Sequence, residues 1–136
     1  MKTITTWKTG FAFDSKFRNN TIALDDVSAS GKDDSGFSPK ALLLSGLAGC
    51  TGIDIVSILD KMKAPYKSIR IEAEAEQTAE HPKVFKEINI TYFVKIPSDY
   101  EDKVKRAVVL SLEKYCGVAA MLRKHCAIIS KVVIEQ

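Results

Sequence analysis

Residues 38–59 read SPKALLLSGLAGCTGIDIVSIL, an apolar run opened by serine and proline and interrupted by three glycines around a cysteine. Ser38 is a natural N-cap, and Pro39 fits the first helical position, where its missing N–H costs nothing. The helix so started should run to about Ala64, because Pro65 cannot continue it and biases its predecessor away from helical angles. That is about 26 residues, or roughly 39 Å. From Ala41 to Leu59 nearly every position is apolar or small, so the helix must be covered all round. A single small domain has trouble wrapping such a helix, which predicts a homodimer whose second copy supplies part of the cover. Gly46, Gly49 and Gly52 each cost roughly 1 kcal/mol relative to alanine in a helix interior, so something is expected to approach the backbone or the Cys50 thiol there.

Outward from this helix the pattern changes to a period of two. Residues 2–14 and 20–25 alternate as strands, with Ile4, Trp7, Phe11 and Phe13 in the first and Ile22 and Leu24 in the second. Arg18-Asn19-Asn20 is a turn signal between them, and DVSASGKDDSGFS at 26–38 reads as the longest loop. On the other side, residues 66–78 and 85–96 alternate again and form a hairpin across the His81-Pro82 turn. A second helix is expected from about Asp99 to Cys126, with Val104, Ala107, Val108, Leu112, Tyr115 and Ala119 on one stripe and Gly117 as a bend. AIISKVVIE is the last strand. The class is α+β.

A chain of 136 residues, 46% hydrophobic and 27% charged, is one ordinary globular domain. A net charge of +3 with scattered lysines and arginines gives no support to nucleic acid or a membrane surface as partner. The N-terminus lacks the apolar core of a signal peptide, and no apolar stretch is read as an uninterrupted membrane span, so a cytoplasmic protein is expected. Three cysteines without a CxxC pair do not make a disulfide framework, and a reducing compartment keeps them as thiols.

Chemistry therefore centres on thiols. Cys50 is either a small buried hydrophobe or a reactive sulfur with its helix face cleared by Gly46 and Gly49. Asp54, one turn on, works against reactivity because a nearby carboxylate raises a thiol pKa, so an activating cation must come from elsewhere in the fold. Cys116 lies in EKYCGVAAML near the expected bend. Cys126 is about 15 Å further on if the helix is continuous, too far for a disulfide. His125 and Cys126 are adjacent in a helix and point apart, which disfavours a metal site, and His81 reads as a loop residue. The usual nucleophile-elbow, phosphate-loop and zinc-spacing motifs are absent.

SPKALLLSGLAGCTGIDIVSIL, then HPKVFKEINITYFV, then EKYCGVAAML together resemble the OsmC/Ohr family, over roughly residue 20 to the end. The resemblance implies an OsmC-like fold with long central helices wrapped by antiparallel sheets in an interwoven homodimer. It also implies reduction of organic hydroperoxides in oxidative stress defence, with Cys50 as the peroxidatic thiolate and Cys116 as the resolving thiol. No metal or organic cofactor is then expected, and an external dithiol such as a lipoyl group is the implied reductant. Arg18 is the candidate by chain order for the arginine that holds the thiolate. Lys40 stands where active members carry a glutamate after the helix-start proline, and Gly117 where a proline often follows the second cysteine. The competing reading is a non-enzymatic protein that binds a small hydrophobic ligand at the dimer interface, with structural thiols.

Overall fold

A computed structural model describes residues 1–26 and 35–136, so most of the expected loop at 26–38 lies outside the described residues. The chain divides into two compact units, Met1–Leu43 and Leu44–Gln136. The first is a three-stranded antiparallel sheet of β1 (Ile4–Thr9), β2 (Ala12–Phe17) and β3 (Asn20–Leu24), in that order. The stretch 2–14, expected as one strand, is a hairpin, with Trp7 opposite Phe13 and Thr9 opposite Ala12. Gly10 makes the turn at φ +54°, a region open to glycine, and its carbonyl accepts from Trp7 Nε1 at 3.0 Å. Arg18 and Asn19 form the next turn, where the expected signal lay. Among the described residues of this unit only Asp25 is buried, while Ile4, Trp7 and Phe11 are 58%, 61% and 60% exposed. Among the described residues this sheet has an apolar surface and no buried apolar side chain.

The second unit holds the core. Helix α1 (Pro39–Lys61) starts in the first unit and runs mostly in the second, followed by β4 (Ser68–Gln77) and β5 (Phe85–Lys95). A 3-10 turn at Ser98–Tyr100, α2 (Glu101–Leu110), a π-turn at Ser111–Tyr115, α3 (Gly117–Arg123) and β6 (Ala127–Glu135) complete the chain. The sheet order is β4-β5-β6; β4 pairs antiparallel with β5, and β6 pairs parallel with it from Glu87↔Ala127 to Lys95↔Glu135. The sheet is thus mixed rather than purely antiparallel, because the helical crossover between β5 and β6 is long enough to return the chain in the same direction. Period two places Ile88, Ile90, Tyr92 and Val94 of central β5 on one fully buried face. Leu47, Thr51, Ile55 and Leu59, every fourth residue of α1, and Val104, Ala107, Val108 and Leu112 from the following helical segment fill the same core.

Two expectations for α1 change. It ends at Lys61, earlier than Ala64, because Lys63 takes a left-handed φ of +53° and the N–H of Ala64 closes back on the Leu59 carbonyl at 3.0 Å. By length and composition it is also long and apolar enough to cross a membrane, contrary to the sequence reading, although its Leu47–Leu59 row packs in the core of its own unit. Among the described residues its cover is incomplete: Leu43, Ile53 and Val56 remain 47%, 74% and 38% exposed. Of the three glycines, Gly52 meets the expected close neighbour, since a Cβ there would stand 3.0 Å from Ile71 Cδ1. Gly46 and Gly49 have nothing within 4 Å of that position among the described residues.

Candidate functional site

The expected long second helix is broken one residue before Gly117. A π-turn, in which the Cys116 N–H reaches back five residues to the Ser111 carbonyl at 2.8 Å, ends the first segment. Cys116 then takes extended angles, φ −73° and ψ 105°, and caps α3, with its Sγ accepting from the Ala119 N–H at 3.3 Å. Glycine, a poor helix former, follows directly. The break turns the Cys116 side chain to α1, where Cys50 sits between buried Leu47 and Thr51. The sulfurs of Cys50 and Cys116 and a carboxylate oxygen of Asp54 all lie within 4.8 Å of one another.

Cys116 is 3% exposed and Cys50 is half-buried. Burial, and then the neighbouring Cys50 thiol, push the Cys116 thiol up to about 11, while the N–H groups of Ala119 and Val118 pull the other way. Asp54, read from sequence only as a hindrance to Cys50, has a partner: Ser111 Oγ donates to its Oδ2 at 2.9 Å. Ser111 is fully buried and joins the end of the α2 segment to α1. Its signal in the sequence was a serine set among the apolar positions Val104, Ala107, Val108 and Leu112.

Tyr92 on β5 closes the floor. Burial pushes its hydroxyl up to about 12; neighbouring Thr51 opposes this and Cys116 adds to it. Thr51 gives its own proton to the Ala48 carbonyl at 3.2 Å, and no bond of ordinary geometry joins it to Tyr92, whose Oη has no hydrogen-bond partner among the described residues. A buried hydroxyl without a partner costs about 1–3 kcal/mol. Tyr92→Phe should therefore raise the unfolding free energy by about 1 kcal/mol in a urea titration; a loss of stability would show that the hydroxyl is satisfied.

The other sequence candidates lie elsewhere. Arg18 is in the β2–β3 turn of the N-terminal unit, its guanidinium 5.2 Å from the centre of the Phe17 ring. Cys126 is half-buried before β6, and burial followed by the charge of Glu87 raises its pKa. His125 Nε2 bonds the Phe85 carbonyl at 3.0 Å, a structural tie between the end of α3 and the start of β5. Asp54 also lines a cleft of about 380 Å³ with Lys61, Arg106 and Tyr115, so the carboxylate of the cluster borders an open surface that carries two cations.

The family model described as OsmC-like protein matches residues 31–131. Protein YhfA of Escherichia coli K12 is 41% identical over 88 residues, which is 64% of this chain and 65% of YhfA, so the match spans just under two thirds of that relative. A hypothetical protein of Aquifex aeolicus VF5 superposes with TM-score 0.86 at 27% identity, covering 98% of this chain and 95% of that one. An organic hydroperoxide resistance protein OsmC of Legionella pneumophila, at 17% identity and TM-score 0.69, covers 97% and 96% and shares the fold. With a family match across most of its length and the same architecture from end to end, the chain belongs to the OsmC-like protein family.

Proposed function

We propose that this protein is a thiol-dependent peroxidase that reduces organic hydroperoxides, with Cys50 as the peroxidatic and Cys116 as the resolving thiol. The observation that carries the reading is the approach of the two sulfurs, from helices far apart in sequence, to within 4.8 Å. The Cys50 thiolate attacks the terminal peroxide oxygen; the O–O bond breaks, the leaving alkoxide takes a proton to become an alcohol, and Cys50 becomes a sulfenic acid. The Cys116 thiolate then attacks the Cys50 sulfur, water leaves, and a disulfide forms. An external dithiol such as a lipoyl group restores both thiols by exchange.

Half-burial leaves Cys50 accessible to a small substrate, whereas Cys116 is buried. Arg18 is the proposed activating cation by chain order; Lys61 and Arg106 border the same cleft as Asp54 and compete for that role. Resting these on one assay, Arg18→Ala and Arg106→Ala are compared for the rate of the first oxidation, and the variant that leaves the rate unchanged is not the activator.

A second copy of the chain is the proposed cover for the exposed side of α1. Ala48, Gly49, Gly52, Ile53 and Val56 form with Ile69 and Ile71 an apolar depression of about 500 Å³, and Gly49 leaves its side of the helix open. The same depression favours a second reading, in which it holds a small hydrophobic ligand and the thiols are structural. One equivalent of cumene hydroperoxide should convert two of the three thiols to a disulfide, with an intact-mass loss of about 2 Da and Cys126 left free. Native mass spectrometry of the same sample should give twice the 15.0 kDa chain without added mass. Three intact thiols after peroxide treatment, together with a co-purified small molecule, would overturn the peroxidase in favour of the binding protein.

A further inference from the structure

The cluster of Cys50, Asp54 and Cys116 offers more than a pair of sulfurs. Two thiolates and a carboxylate are the donor set of a borderline-soft divalent ion such as zinc, and they suit magnesium or calcium poorly. In a tetrahedral zinc site the ligand atoms stand about 3.3–3.8 Å apart, given Zn–S near 2.3 Å and Zn–O near 2.1 Å. The three atoms here lie within 4.8 Å of one another, within about 1 Å of that spacing.

Outer contacts are in place for two of the three ligands. Ser111 Oγ, fully buried, donates to Asp54 Oδ2 at 2.9 Å and so fixes the direction of the carboxylate. The Ala119 N–H bonds Cys116 Sγ at 3.3 Å, fixing its direction and offsetting thiolate charge. Cys50 and Asp54, four residues apart on one rigid helix, present their donors from the same face. Asp54 also borders the 380 Å³ cleft, which leaves the carboxylate edge of the cluster open to water.

We propose that reduced Cys50, Asp54 and Cys116 form a zinc-type site with three protein ligands, and that oxidation of the thiol pair expels the ion. Binding converts two thiols to thiolates and releases up to two protons. Expulsion rests on the proposed peroxidase reading: each thiolate sulfur gives up one electron, the peroxide O–O bond takes the pair and two protons to become alcohol and water, and the disulfide has no charge left to hold the cation. The ion keeps its oxidation state throughout. A bound metal thus occupies the lone pairs that peroxide needs, so metal and peroxide compete for one form of the protein.

The test uses the reduced full-length chain titrated with Co²⁺, and then with Zn²⁺ against 4-(2-pyridylazo)resorcinol. One Co²⁺ per chain should bind with a thiolate-to-cobalt charge-transfer band and the intense visible bands of tetrahedral geometry. Ser111→Ala should weaken Zn²⁺ binding about 10-fold and Asp54→Ala about 100-fold, while Cys126→Ser binds as the unchanged chain does. Absence of the charge-transfer band in the unchanged chain, or an Asp54→Ala chain binding as tightly as the Cys126→Ser chain, overturns the site. Adding one equivalent of cumene hydroperoxide to the Zn²⁺ form should release the ion as the disulfide appears, and a disulfide that forms with zinc retained overturns the coupling. A chain that binds cobalt but is inert to peroxide would instead remove the peroxidase reading and leave the metal site standing.

Discussion

Cys50→Ser should lower steady-state reduction of cumene hydroperoxide, with a dithiol as reductant, by about 10³-fold or more while leaving the protein folded. A serine hydroxyl is a poor nucleophile at neutral pH, and it has no counterpart to the sulfenic acid that carries the oxidising equivalent to the second thiol. The substitution is nearly isosteric at a half-buried position on α1, so stability should change by less than about 1 kcal/mol and lost turnover cannot be assigned to unfolding. Cys126 does not rescue the variant: it lies outside the cluster that joins Cys50, Asp54 and Cys116, and burial holds its proton more tightly than in a free thiol. Cys126→Ser, compared in parallel, should retain full activity. Equal rates in the Cys50→Ser and unchanged chains would end the case for this thiol as the reacting centre.

The part of this site readable in the sequence is the part carried by one continuous helix. Ser38-Pro39 marks the start of α1 and the spacing of Cys50 and Asp54 puts both on one face, and each follows from local chain geometry. The three glycines are legible as an anomaly, yet among the described residues only Gly52 meets a close neighbour, Ile71. What failed was local in another way. Residues 2–14 alternate well enough to read as one strand, and a single glycine at φ +54° reverses the chain. Gly117 gave the bend in the second helix to within one residue, but the π-turn that takes up the extra residue and aims Cys116 at α1 has no pattern of its own. Ser111 and Tyr92 were missed because their roles come from partners 57 residues away in one case and from the lack of a partner in the other. Tertiary proximity of this kind is invisible to periodicity, whereas the family resemblance reached Cys116 directly.

Cys116→Ser should separate the two chemical steps. One equivalent of peroxide per chain is still consumed, since Cys50 is intact, but turnover falls by about 10²-fold or more and the product is a sulfenic acid about 16 Da heavier, trapped by dimedone. Excess peroxide should then drive the unprotected sulfur to the sulfinic acid, a further about 16 Da, which dithiols do not reverse. The ordering follows from the surroundings of Cys116. Burial comes first among the causes that hold its proton up to about 11, and the neighbouring Cys50 thiol comes next. Oxidation of Cys50 removes that thiol and its thiolate charge, while the opposing N–H groups of Ala119 and Val118 stay in place. The second sulfur therefore ionises more readily once the first has reacted, while burial continues to oppose its charge. Because burial, the largest cause, persists after Cys50 is oxidised, the Cys116 thiolate stays scarce at neutral pH, and the rate of disulfide formation in the unchanged chain should rise as pH is raised above neutrality, read by rapid quench and mass analysis. A resolution rate that falls as pH increases, or a Cys116→Ser chain that turns over normally, would place the resolving thiol elsewhere and leave Cys116 as a buried cap of α3.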